Sequence, residues 1–96
     1  MTVQLRESDS PIKLWVEDGV YQLDVRPLLE LGGEPYSCIM RSLLQLQPGE
    51  RMVIHALFEP KPLLSQLERM GHGPRARRLG VEHWVVEIQK PPGEAP

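Results

Sequence analysis

Two glutamates in matching settings are the first residues that could do chemistry. Glu34 stands in Gly32-Gly33-Glu34-Pro35, and Glu59 in Phe58-Glu59-Pro60-Lys61-Pro62-Leu63. Each precedes a proline that can open a helix, where backbone N–H groups have no partner within the helix. A carboxylate there can cap those groups, and independent capping is the plainer reading of both. Two carboxylates at one rim can also hold a cation or an amine, or act as acid and base. His55 stands four residues before Glu59, at the end of an apolar run, and can reach the same rim. Glu34, Glu59 and His55, with His72 and His83 as further imidazoles, are enough ligands for zinc or iron, though surface or half-buried histidines are the plainer reading. No pair of them has a compact metal-motif spacing. Cys38 is the only cysteine and the only soft nucleophile. Near a helix start its thiolate would be favoured, yet Ile39 and Leu43 beside it suggest a small packed hydrophobe. One thiol forms no intramolecular disulfide and builds no thiolate zinc site. Arg69, Arg75, Arg77 and Arg78 form a local basic cluster that suits an acidic partner or phosphate. It lacks the interleaved aromatics that stack bases and reads equally as a charged edge strand that resists aggregation. Trp15 and Trp84 could be core or interface residues, with core the plainer reading.

The elements that must position these residues follow from hydrophobic period and punctuation. Residues 12–16 and 20–25 are two β-rich runs around Glu17-Asp18-Gly19, a hairpin signal. Tyr21, Leu23 and Val25 alternate with Gln22 and Asp24, giving one apolar and one wetter face. Residues 27–33 read as a loop. A helix over residues 35–47 carries Tyr36, Ile39, Met40, Leu43, Leu44 and Leu46 at helical spacing, and Pro48-Gly49 ends it. Residues 52–57 are apolar on both faces and predict a central strand. A second helix over residues 62–70 shows the stripe Leu63, Leu64, Leu67 and Met70, capped by Gly71. Residues 74–79 form an arginine-rich edge strand. Residues 81–88 close the fold, with Trp84, Val86 and Ile88 on one side and His83, Val85 and Glu87 on the other. The order is βαβαββ with an extra N-terminal hairpin strand. Right-handed crossovers then put both helices on one face of a mixed sheet, an α+β two-layer sandwich. Residues 1–11 and 91–96 read as flexible tails around a single domain over residues 12–90.

Several of these segments resemble a known superfamily. Leu23-Asp24-Val25-Arg26, Glu34-Pro35 at a helix start, and the Leu-x-x-Gly-Glu stretch from Leu46 to Glu50 are similar to the TusA-like, or SirA-like, proteins. The resemblance is closer still to a branch known as a domain of unknown function. Its members carry Gly-Gly-Glu-Pro, Phe-Glu-Pro-x-Pro-Leu and a late Trp-x-Val strand like Trp84-Val85-Val86. The similarity runs from about Tyr21 to Ile88 and implies the βαβαββ fold and a docking surface. TusA-type carriers hold a persulfide on the Cys of a Cys-Pro-x-Pro motif. Setting Glu34-Pro35 on the last two positions puts Gly32 where that cysteine would stand, so the family's usual sulfur relay is not implied.

Composition bounds the partners. The chain has 96 residues, 41% hydrophobic and 25% charged, ordinary values for a globular domain. Its net charge of −2 provides no field toward nucleic acid or a membrane surface. No apolar run approaches the ~20 residues of a membrane span, and the start lacks the apolar region of a secretory signal. A cytoplasmic setting is expected. The reading that follows is a binding or adaptor module rather than an enzyme. It docks a protein partner or a small ligand at the rim formed by Gly32, Gly33, Glu34, Pro35, Phe58, Glu59 and Pro60. No cofactor is called for. Two rivals are a sulfur or redox carrier using Cys38, and a metal-binding regulator using His55 with Glu34 and Glu59. Oligomeric state is not legible.

Overall fold

A computed structural model describes residues 12–91. The expected tails lie outside the described residues, apart from Pro91. The chain runs β1 (Lys13–Glu17), β2 (Val20–Asp24), α1 (Arg26–Glu30), α2 (Tyr36–Gln45), β3 (Arg51–Ala56), α3 (Lys61–Arg69), β4 (Arg75–Gly80) and β5 (His83–Gln89). Over the described residues the fold is α+β, a five-stranded mixed sheet with three helices, in the order β1-β2-β3-β5-β4. Only the β2–β3 pair is parallel; the other three are antiparallel.

The hairpin forms where Asp18-Gly19 predicts it. Asp18 and Gly19 have φ of 52° and 79°, the paired left-handed conformations of a type I′ turn, whose twist matches that of the flanking strands. β2 then feeds α1 and α2 across to β3, the central strand. β5 pairs with β3 on its other side, so β3 is flanked on both edges, as its two apolar faces require.

The register sorts side chains onto two faces. Leu23 and Val25, Met52, Ile54 and Ala56, and Val86 and Ile88 share one side. They form a single buried cluster with Ile39, Leu43 and Leu46 from α2 and its C-terminal turn, and with Leu63 and Leu67 from α3. Both helices therefore pack on the same face of the sheet. Leu23, Ile54, Leu67 and Val86 are 1% exposed or less. Burying each such side chain contributes roughly 1.5–3 kcal/mol. Gln22, Val53, His55, Val85 and Glu87 point to the other face, which carries no helix among the described residues.

The structure corrects two readings. The expected loop over residues 27–33 contains α1, a five-residue helix too short to show a period. Pro27 lies in its first turn, where a missing N–H costs nothing. The last strand begins at His83 instead of Val81, because Val81 and Glu82 form the β4–β5 turn and Glu82 takes a φ of 55°.

Candidate functional site

The rim between the starts of α2 and α3 is an apolar groove. Val25, Leu29, Glu34, Pro35, Tyr36, Ile39, Ile54, Ala56, Phe58, Pro60, Pro62 and Leu63 line a cavity of about 190 Å³. Val25, Ile39, Ile54, Ala56 and Leu63 form a buried floor, while Tyr36 and Phe58 stand over it at 42% and 54% exposure. Four of the expected rim residues, Glu34, Pro35, Phe58 and Pro60, meet here. Gly32, Gly33 and Glu59 do not line the groove.

Gly32 and Gly33 act on the backbone. Gly32 N–H donates to Leu29 O at 2.9 Å, and Gly33 N–H donates to Leu28 O at 2.9 Å. That pair of bonds, with Gly32 at φ 82°, is a Schellman motif closing α1. A β-carbon on Gly33 would stand 2.3 Å from Leu28 Cδ1, so any other residue there forces the Leu28 side chain to move. The Gly-Gly pair thus stops α1 and turns the chain into α2, holding Leu29 and Pro35 on the groove wall.

The two glutamates differ. Glu34 Oε2 accepts the Tyr36 N–H at 2.7 Å, capping α2. Among the described residues the Glu59 carboxylate caps nothing; its backbone carbonyl accepts the Lys61 N–H instead.

Cys38 is the third residue of α2 and half-buried. Its Sγ lies 3.8 Å from Arg41 Nη2, which donates to it from the next turn. The thiol stands near the helix start, as the sequence suggests, but it is neither fully packed nor part of the groove lining.

The imidazoles separate. His55 lies on the opposite face of the sheet, so the sheet stands between it and the groove that Glu34 lines. His55 Nε2 is 2.8 Å from Gln22 Oε1, and its Nδ1 is 3.0 Å from His83 Nε2. With the Gln22 amide oxygen turned toward the ring, a neutral His55 donates from Nε2. Its Nδ1 then accepts from His83 Nε2–H. The ring centroids are 5.2 Å apart, a nearly head-on arrangement that suits a hydrogen bond rather than two nitrogens aimed at a shared ion. Trp15 stacks on His55 at 6.0 Å with 20° between the planes. Burial lowers the pKa of His55; Asp24 opposes this, while His83 and Arg26 add to it. Among the described residues, no three His, Cys, Asp or Glu side chains lie together as a metal site. Periodicity could assign Gln22 and His55 to one face, but strand register was needed to bring His83 to them.

His72 follows α3 and is 5% exposed. Gly71 and His72 close α3 with the same Schellman bonding, to Glu68 O and Leu67 O. His72 Nδ1 has no partner among the described residues. Burial lowers its pKa, with a backbone hydrogen bond at Gln89 opposing and Lys90 adding to the effect.

The Leu23-Asp24-Val25-Arg26 segment is an ion pair built into a turn. Asp24 accepts from the Arg26 N–H at 3.0 Å, from Nε at 2.9 Å and from Nη2 at 2.8 Å. Burial disfavours the Asp24 carboxylate, but the hydrogen bonds and charge of Arg26 outweigh it and hold the pKa below 3.8. Of the arginine cluster, Arg77 pairs with Glu87 at 2.6 Å. Arg69 donates to Gln66, and Arg78 to the Gly80 carbonyl.

Among the described residues no helix is long and apolar enough to cross a membrane. Comparison with curated proteins and with solved structures gives no match. Residues 22–90 match the model of a family described as "Uncharacterized conserved protein (DUF2249)". They span both helix starts, the groove and all five residues of the His55 and Asp24 clusters other than Trp15, and the chain belongs to that family.

Proposed function

We propose that the chain is a small TusA-like binding module of the cytoplasm, which takes an apolar side chain of a protein partner into the groove between α2 and α3. The groove carries this reading. Its cavity of about 190 Å³ is lined almost wholly by carbon, and it falls below the roughly 300–1,000 Å³ of sites that enclose drug-sized ligands. That size suits one anchoring residue. Tyr36 and Phe58 stand exposed over a buried floor, and aromatic residues around a pocket often carry much of an interface's energy.

Sulfur or redox carriage by Cys38 is the rival. The Arg41 contact and the position near the helix start favour it. The place of the family's carrier cysteine is held by Gly32, whose φ of 82° serves the α1 cap. The metal-regulator reading has less support, because the sheet separates His55 from Glu34.

Small fragments that mimic apolar side chains, such as indole and isobutanol, test the groove by NMR shift mapping. The methyl groups of Val25, Ile39, Ile54 and Leu63 should move. Phe58→Ser should weaken that binding by about tenfold, the scale of an anchoring contact, while changing stability by only about 0.5 kcal/mol, as an exposed substitution does. Fragments that spread over other surfaces, or a Phe58→Ser protein that binds them unchanged, would sink the proposal. Treatment with a cysteine desulfurase and labelled cysteine, read by mass spectrometry, tests the rival. Stoichiometric sulfane sulfur on Cys38 would establish it.

A further inference from the structure

The two edges of the sheet are built differently. β4 carries Arg75, Arg77 and Arg78, and its pairing with β5 is irregular between Arg78 and Gly80. Like charges and a bulge are devices that keep an edge from pairing. β1, the other edge, reads Lys13-Leu14-Trp15-Val16-Glu17, with Leu14, Trp15 and Val16 exposed by 51%, 40% and 56%. Written against itself in the opposite direction, this strand is self-complementary. Lys13 faces Glu17, Leu14 faces Val16, and Trp15 faces Trp15.

We propose that β1 is the seam of a twofold dimer, in which two copies of this chain join their sheets edge to edge. The backbone permits that register. Glu17 and Val20 flank the two-residue turn, so they form a hydrogen-bonded pair. Alternation along the ladder makes Trp15–Gln22 and Lys13–Asp24 hydrogen-bonded as well. The N–H and C=O groups of Leu14 and Val16 therefore point outward. Centring the seam on Trp15 sets Leu14 opposite Val16 of the second copy, and each pair exchanges both outward hydrogen bonds. A shift of two residues keeps the hydrogen bonds but places Trp15 opposite a charged residue and loses both ion pairs. A parallel arrangement sets like charges side by side.

The seam settles groups that the single chain leaves open. Lys13 has no ion pair among the described residues, and Glu17 accepts only a 3.3 Å bond from Trp15 Nε1. Leu14 and Val16 lie on the helix side of the sheet, beyond the cover of the helices. Paired with their equivalents they make a four-residue apolar cluster. An interface of this kind is isologous and closes at two copies.

Sedimentation velocity of the full chain, from micromolar to submillimolar concentration, reads the proposal. The parent chain should reach a dimer. Lys13→Glu and Glu17→Lys, both at exposed positions, should each weaken dimerisation by about tenfold, because both symmetric pairs turn repulsive. The two changes together in one chain should restore the dimer, and mixing the two single variants should give a heterodimer. Trp15→Cys in a Cys38→Ser background should form an intermolecular disulfide. A non-hydrogen-bonded pair at the axis has Cα atoms about 4.5 Å apart, within a disulfide's reach. A parent chain that stays monomeric throughout would overturn the seam. So would a dimer that ignores the single reversals, or one that the double exchange fails to restore.

Discussion

Asp24, His55 and His72 all resist protonation in the folded chain, and the signs can be worked out. The Asp24 carboxyl has a folded pKa below 3.8 because Arg26 donates to it three times. Its contribution is complete above 3.8 and is lost as pH falls through the lower folded value. His55 and His72 have folded pKa values below 6.5, chiefly through burial. As pH falls below 6.5 the unfolded chain takes up protons that the folded chain refuses, so stability drops there first. Urea melts across pH should therefore show two declines, one beginning near pH 6.5 and one below pH 3.8. His72→Asn should shrink the first and Asp24→Asn the second. Asp24→Asn should also cost about 1.5–3 kcal/mol at neutral pH, the scale of a hydrogen bond to a charged group. A flat profile between pH 7 and pH 5, on the order of two units spanning the histidine range, would contradict the assignment.

At the scale of elements, what could be read from the chain depended on length and period. α2 and α3 have ten and nine residues and regular apolar stripes, and both begin within a residue or two of the expected proline. α1 has five residues, none of them buried, and therefore no stripe to read. Its only signal is the Gly-Gly stop, which lies inside the stretch that reads as a loop. The groove divides in the same way. Glu34, Pro35, Phe58 and Pro60 were legible because proline marks helix starts. The lining supplied by Val25, Leu29, Ile54 and Ala56 comes from the β2–α1 junction, α1 and β3, and only the tertiary packing brings these residues together. The Schellman stop can be tested by itself. Gly32→Ala should cost about 1–2 kcal/mol, because alanine resists the left-handed conformation, and Gly32→Asn should cost less. Gly33→Ala should be destabilising through the 2.3 Å approach to Leu28 rather than through backbone conformation. Equal melting of all three variants and the parent would remove the motif's role.

At the scale of the whole molecule, the sheet has, among the described residues, one face covered by helices, one face without them and two unlike edges, which should set the order of hydrogen exchange. β3 has paired neighbours on both sides and buried side chains at Met52, Ile54 and Ala56. Its amides should exchange only through the largest openings, as central core strands do. The Val25 N–H, bonded to His55 O at 3.1 Å, should follow β3 rather than α1. Among the described residues β1 is paired along one edge only. The Lys13, Trp15 and Glu17 amides point to β2 and should show intermediate protection in any state. The Leu14 and Val16 amides point outward and should exchange at nearly free rates in dilute solution. Raising the concentration through the dimer range should slow these two amides while leaving those of β3 unchanged. Such a change confined to alternate residues of one strand has few explanations other than a new strand at that edge, since general stabilisation would slow β3 as well. Protection of Leu14 and Val16 that does not vary with concentration would mean that the edge is covered within a single chain.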